Sequence, residues 1–172
     1  MRRKFFHGSM TLFVLFFQLT AIAQAEFQRV KGEKANYSIE IPDGYVPRSS
    51  IGANIDLKYI NSEGASIITT VRRLPAGTTD DQISEMNGGS DYQIEEQFAA
   101  NGLTNTKIIK RGFMTINGRK SHYMHYTNGE LYFHSVNQIR SGFLVNLTYT
   151  CEYAKKDLYM PYIFRVVNSL KP

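Results

Sequence analysis

The stretch KIIKRGFMTINGRKSHYMHYTNGELYFHSVNQIRSGFLVNLTYTC, Lys107 to Cys151, decides the fold. Three small turn signals, Asn117-Gly118, Asn128-Gly129 and Ser141-Gly142, separate segments rich in aromatic and branched residues. Asn-Gly supplies the two positive-φ residues that tight hairpin turns demand, so the spacing predicts an antiparallel four-strand meander. Two-residue turns would pair Tyr123 with His134, His125 with Tyr132, Val136 with Leu147 and His134 with Tyr149. Opposed residues share a face. One face therefore collects Tyr123, His125, Tyr132, His134, Val145, Leu147 and Tyr149, and the other Phe113, Met124, Tyr126, Leu131 and Phe133. Apolar residues on both faces require at least partial cover on both.

Working back from the meander, Ser90 to Gln93 and Thr79 to Gln82 each have the spacing of a capping box, with Asp80 and Asp81 suited to a positive helix end. These predict helices over Thr79 to Met86 and Ser90 to Ala100. In the second, Ile94 and Phe98 form the buried stripe, Glu95-Glu96 the solvated flank and Asn101-Gly102 the left-handed stop. Upstream, Ile55, Leu57 and Tyr59 alternate with Asp56 and Lys58, Asn61 to Gly64 reverses the chain, and Ser66 to Leu74 returns as a strand. Tyr37, Ile39 and Ile41 alternate with Ser38 and Glu40 in a strand stopped by Pro42-Asp43-Gly44. Phe27 to Asn36 reads as a polar leader. Downstream, Leu158, Tyr162, Ile163, Val166, Val167 and Leu170 recur at helical spacing, with Pro161 tolerated if it falls within the first turn. The class is α+β, an antiparallel β-sheet with helices on both faces.

The N-terminus carries an address. Met1-Arg2-Arg3-Lys4 is a basic start, Thr11 to Ala23 an apolar run too short to span a bilayer, and Ala23-Gln24-Ala25 a small-residue cleavage site. Residues 1–25 read as a secretory signal peptide and 26–172 as a single domain, of which 26–36 is the leader. Of 172 residues, 25 are removed and 147 remain, enough for one core. The formal net charge of +5 loses three cations and becomes +2. The basic pairs Arg72-Arg73, Lys110-Arg111, Arg119-Lys120 and Lys155-Lys156 are scattered, so the sequence does not predict nucleic-acid binding. Nor does it predict a membrane-embedded product. Cys151 is the only cysteine, which leaves no internal disulfide and suits a small buried hydrophobe at a strand end.

The sequence contains no phosphate-cradling glycine loop, Gly-x-Ser-x-Gly elbow, Cys-x-x-Cys pair or calcium loop. His122 and His125 would sit together on a helix, but an odd separation on a strand sends them to opposite faces. His125 and His134 are diagonal neighbours on one face, with Tyr123 and Tyr132 nearby and no convergent carboxylate, which is weak as a metal site. The residues predict no catalytic group, no cofactor and no metal. The candidate ligand or partner face is Tyr123, His125, Tyr132, His134 and Tyr149.

The order of elements is familiar. A strand ends in Ile41-Pro42-Asp43-Gly44-Tyr45 and a hairpin in Leu74-Pro75-Ala76-Gly77; a helical stretch, the meander and a helix ending Val167-Asn168-Ser169-Leu170-Lys171 follow. From Tyr37 to Lys171 this resembles the PsbP-like family, with Tyr45 where that family often has Trp. The resemblance implies an α-β-α sandwich, and a theme of protein binding: family members are extrinsic subunits of photosystem II, a Ran-binding nuclear protein and bacterial envelope proteins of unknown role. No family-wide catalytic residues carry over. The expectation is a secreted, non-catalytic binding module, periplasmic in a Gram-negative bacterium, that engages a protein of the envelope or extracellular space. Two alternatives stand beside it: a small-ligand or glycan binder using the tyrosines, and a hydrolase built on His125 or His134.

Overall fold

The structure, a computed structural model, describes residues 26–49 and 52–172, the side chain of Asn87 set aside. The signal peptide expected at 1–25 lies outside them. The meander forms as β6 (Thr106–Ile116), β7 (Arg119–Asn128), β8 (Leu131–Arg140) and β9 (Phe143–Glu152). Ahead of it come β1 (Phe27–Lys31), β2 (Ser38–Pro42), β3 (Val46–Pro47), β4 (Ile55–Ile60) and β5 (Ser66–Arg73). A 3-10 helix (Asp80–Asn87) and α1 (Asp91–Ala100) follow β5, and α2 (Lys156–Asn168) follows β9 after a 3-10 turn. The strands make an antiparallel seven-stranded sheet, β3-β4-β5-β9-β8-β7-β6, and a separate β1-β2 hairpin. Helices are the minor component.

Local chemistry explains the turns. Asn117 and Ser141 take φ of 48° and 50°, and the glycines after them 77° and 79°, the geometry expected of tight hairpins. At the third turn, Asn128 stays paired with Leu131, so the loop is Gly129-Glu130. His125 therefore lies opposite His134, and Tyr123 opposite Val136. This corrects the expected pairs Tyr123 with His134 and His125 with Tyr132. Because the shift is two residues, every side chain keeps its face. The β8-β9 pairs, Val136 with Leu147 and His134 with Tyr149, form as expected.

The core lies on one face of the sheet, here the inner face. Val145, Leu147, Tyr149, Tyr132 and Val136 pack there against Ile163, Val166, Val167 and Leu170 of the α2 segment, and Ile39 and Ile41 of β2 join them. The chain end is clamped to β2 by mutual backbone hydrogen bonds between Ser38 and Lys171, of 2.6 and 3.0 Å. Glu40 accepts from Arg29 at 2.7 Å and from Arg165 at 2.9 Å, tying β1, β2 and α2 together.

Four expectations need correction. Phe27 to Lys31 is a strand, although its sequence does not alternate cleanly; Phe27 and Val30 face the core and Arg29 donates to the Ser169 carbonyl at 3.1 Å. Glu95 is no solvated flank, because it accepts from the Ile108 amide at 2.9 Å and from Lys107 at 2.8 Å. Ile94 and Phe98 are half-buried rather than core. In α2 the buried stripe starts at Tyr159 while Leu158 is 62% exposed, and Pro161 lies past the first turn, where it leaves the Asp157 carbonyl without its helical donor.

Candidate functional site

The five residues expected to form a partner face do share one face, and it is the inner one. His134 and Tyr149 pair across β8-β9, and Tyr132 lies two residues from His134. Tyr132, His134 and Tyr149 are buried, whereas Tyr123 and His125 are half-buried. Their surroundings explain why. Phe164 of α2 meets His134 edge-on at 6.1 Å, and Tyr159 lies 6.1 Å from Tyr149. The three buried rings belong to the interface between sheet and helix, so they offer a partner no surface.

The histidines are nevertheless unusual. The rings of His125 and His134 stand 3.9 Å apart, and among the described residues neither nitrogen of His134 has a hydrogen-bond partner. Burial, with a lesser contribution from His125, pushes the His134 imidazole down to about 3. His125 is also lowered, by burial and then by Lys110. An imidazole held neutral without a carboxylate to orient it is poorly equipped as a general base. Among the described residues no three of His, Cys, Asp and Glu gather as metal ligands. His122 sits on the other face against Phe113 at 5.6 Å, as strand parity requires.

Cys151 is buried beside Tyr132, and burial pushes its thiol up to about 11. A thiol with so little thiolate reacts slowly. Iodoacetamide is expected to leave Cys151 unmodified in the native protein and to alkylate it fully in denaturant; rapid native labelling would contradict this burial.

The opposite, outer face is organised differently. The 3-10 helix packs over β6 to β8, burying Ile83, and Lys120 donates to Ser84 at 2.6 Å. Phe98 of α1 stacks on Tyr126 at 5.1 Å, and Tyr126 on Phe133 at 4.7 Å. Asp91 and Glu95 anchor α1 to Arg111 and Lys107. Towards β9, β5 and β4 no described helix follows. Two cross-strand rows lie there: Lys58, Ile68, Thr148, Ser135 and Met124, then Thr70, Asn146, Asn137 and His122. Except for Ser135 and His122, these are half-exposed.

This open platform has an ordered polar surface. Asn146 donates to the Ser135 hydroxyl at 2.7 Å and to Asn137 Oδ1 at 3.0 Å, and Thr148 donates to Asn146 Oδ1 at 2.9 Å. Interlocked neutral side chains on a rigid sheet hold their donors and acceptors in place before any ligand arrives, which reduces the ordering cost of association. The pattern was present in the sequence as Asn146, Thr148 and Thr150 alternating with apolar residues. Alternation alone does not single it out, and only the positions of the helices show which part stays open.

No family model matches the sequence, and no curated protein matches it. Solved structures do. The solution structure of cyanobacterial PsbP from Synechocystis sp. PCC 6803 superposes with a TM-score of 0.66 at 15% identity, over 86% of this chain and 92% of that one. The fold is PsbP-like. LpqN, involved in cell envelope biogenesis of Mycobacterium tuberculosis, superposes with a TM-score of 0.54 at 12% identity, over 87% of this chain and 92% of the other. Among the described residues no helix is long and apolar enough to cross a membrane.

Proposed function

We propose that the protein is a non-catalytic accessory module that acts outside the cytoplasm and engages another protein of the cell envelope or extracellular space. The observation that carries this reading is the open outer platform around Thr70, Asn137, Asn146 and Thr148, on which Asn137, Asn146 and Thr148 are already hydrogen-bonded to one another. Such a surface suits the polar part of a protein interface, where satisfied groups and shape decide specificity. The fold is then an α-β-α sandwich whose outer layer, the 3-10 helix and α1, covers only part of the sheet. The signal peptide read at residues 1–25 directs export, and the envelope role in the name of LpqN supports the location. A hydrolase has little support, since His134 is sealed under Phe164 without a carboxylate partner. A tyrosine-lined glycan face has little either, since Tyr132 and Tyr149 are buried.

The test has two parts. The exported product is expected to begin at Glu26, which N-terminal sequencing reads directly. A tagged chain is expected to co-purify a defined protein from its native envelope fraction, and Thr148→Arg to abolish that capture while leaving the melting temperature within a few degrees. Capture unaffected by Thr148→Arg and by Asn146→Arg would remove the platform from the interface.

A further inference from the structure

On the other side of the sheet, three segments distant in sequence enclose a small hollow of about 200 Å³. Tyr45 and Asp43 come from the turn after β2, Glu63 from the β4-β5 turn, and Leu158, Tyr159 and Tyr162 from the start of α2. Its wall is aromatic. Tyr159 and Tyr162 stand 6.4 Å apart at 56°, and Tyr149 lies behind, 6.1 Å from both Tyr45 and Tyr159. The wall is also fixed. The Tyr45 and Tyr149 hydroxyls bond each other, and the Tyr159 hydroxyl accepts from the Asn61 amide at 3.1 Å. Asn61 is held in turn by accepting from the amides of Glu63 and Ala65 at 3.0 and 2.9 Å. Two carboxylates, Asp43 and Glu63, complete the lining, and no cation is among the residues that line it.

Tilted tyrosine rings present negative π faces, and carboxylates beside them add a matching charge. We propose that this hollow binds a compact organic cation, a quaternary ammonium or the cationic head of an arginine or lysine side chain. Its size suits one such head with its first carbons, and its apolar wall accepts a weakly hydrated cation more readily than a metal ion, which would demand several convergent oxygens. Among the described residues the competing cation is Lys155, whose ammonium stands 3.3 Å from Glu63 and 3.3 Å from Glu152 at the rim, and the Tyr159 hydroxyl also interacts with Glu63. Lys155 restrains Glu63, so removing it frees a carboxylate for the ligand. Because the hollow and the outer platform lie on opposite sides of the sheet, this inference goes beyond the proposed docking role, and the two can fail separately.

Titration followed by the tyrosine ring resonances tests it, using choline, its uncharged isostere 3,3-dimethylbutan-1-ol, and N-acetylarginine amide. The expected result is saturable shifts at Tyr45, Tyr159 and Tyr162 with at least one cation and about tenfold weaker binding of the alcohol. If choline alone acts, the source is a small quaternary amine; if the arginine derivative alone acts, it is a protein side chain. Lys155→Met, at a half-buried position, is expected to tighten the cation about threefold, and Tyr162→Leu to weaken it about fivefold. Absence of shifts with both cations, or equal binding of the alcohol, overturns the proposal, as does a Lys155→Met affinity that falls or stays unchanged.

Discussion

Moving the protein from pH 7 to pH 4 is expected to lower its unfolding free energy by about 3 kcal/mol through His134 alone. In the folded chain this imidazole is buried, unpartnered at both nitrogens and held down to about 3, mainly by burial. Unfolded, it titrates near 6.5. Between those two values the unfolded state binds the extra proton, so stability rises with pH across the window. The contribution is complete above about pH 6.5 and is lost progressively as pH falls towards 3. The groups that face His134 give a proton no help: the His125 ring leans against it at 3.9 Å, Lys110 stands beside His125, and Phe164 closes the helix side. His122, lowered by burial, adds in the same direction. Glu40 adds a different loss at lower pH. Its carboxyl is held below the usual range by Arg165 and then Arg29, so its stabilisation is present above the ordinary carboxylate range and disappears as pH falls through its folded value. Urea unfolding at pH 7, 5.5 and 4 measures the slope. His134→Phe is expected to flatten it whatever it does to stability at pH 7, and an unchanged slope in that variant would show that the acid sensitivity originates elsewhere.

The meander was legible because its turn chemistry is local. Asn117-Gly118 and Ser141-Gly142 adopt positive φ whatever surrounds them, and strand parity then distributes side chains between faces without further information. Asn128-Gly129 misled in register only, since either turn placement keeps His125 and His134 on one face. What could not be read was which face the helices would seal and how far. Whether Tyr132, His134 and Tyr149 line a surface or a core depends on where α2 lies, and nothing between Tyr123 and Tyr149 specifies that. The same holds for Glu95, whose bond to the Ile108 amide depends on how α1 meets a β-bulge between Ile108 and Lys110. The open platform was invisible for the converse reason. Thr70, Asn137, Asn146 and Thr148 are ordinary outward residues in sequence, and become a candidate surface only because the 3-10 helix and α1 stop short of them.

The rotation of α2 about its axis is the most exposed of these non-local features, and it predicts a large contrast between a leucine and an isoleucine truncation in the same helix. Ile163 is fully buried against the sheet, so Ile163→Ala is expected to cost about 2–5 kcal/mol, the range for removing methylene groups from a packed core that cannot collapse around the gap. Leu158 belongs to the same apolar series in the sequence, at helical spacing from Tyr162 and Val166, and on that reading would cost as much. In the folded chain Leu158 is 62% exposed, because Tyr159 takes the inward position, its ring on Tyr149 and its hydroxyl on Asn61. Leu158→Ala is therefore expected to change stability by no more than about 0.5 kcal/mol. Tyr159→Leu should fall between the two, since it keeps the apolar contact and leaves the Asn61 amide without its partner, at about 1–2 kcal/mol. Comparable losses at Leu158 and Ile163 in chemical denaturation would mean that the helix is turned by most of one residue. The inner face would then be sealed by different side chains, and the hollow formed by Tyr45, Tyr159 and Tyr162 would not exist.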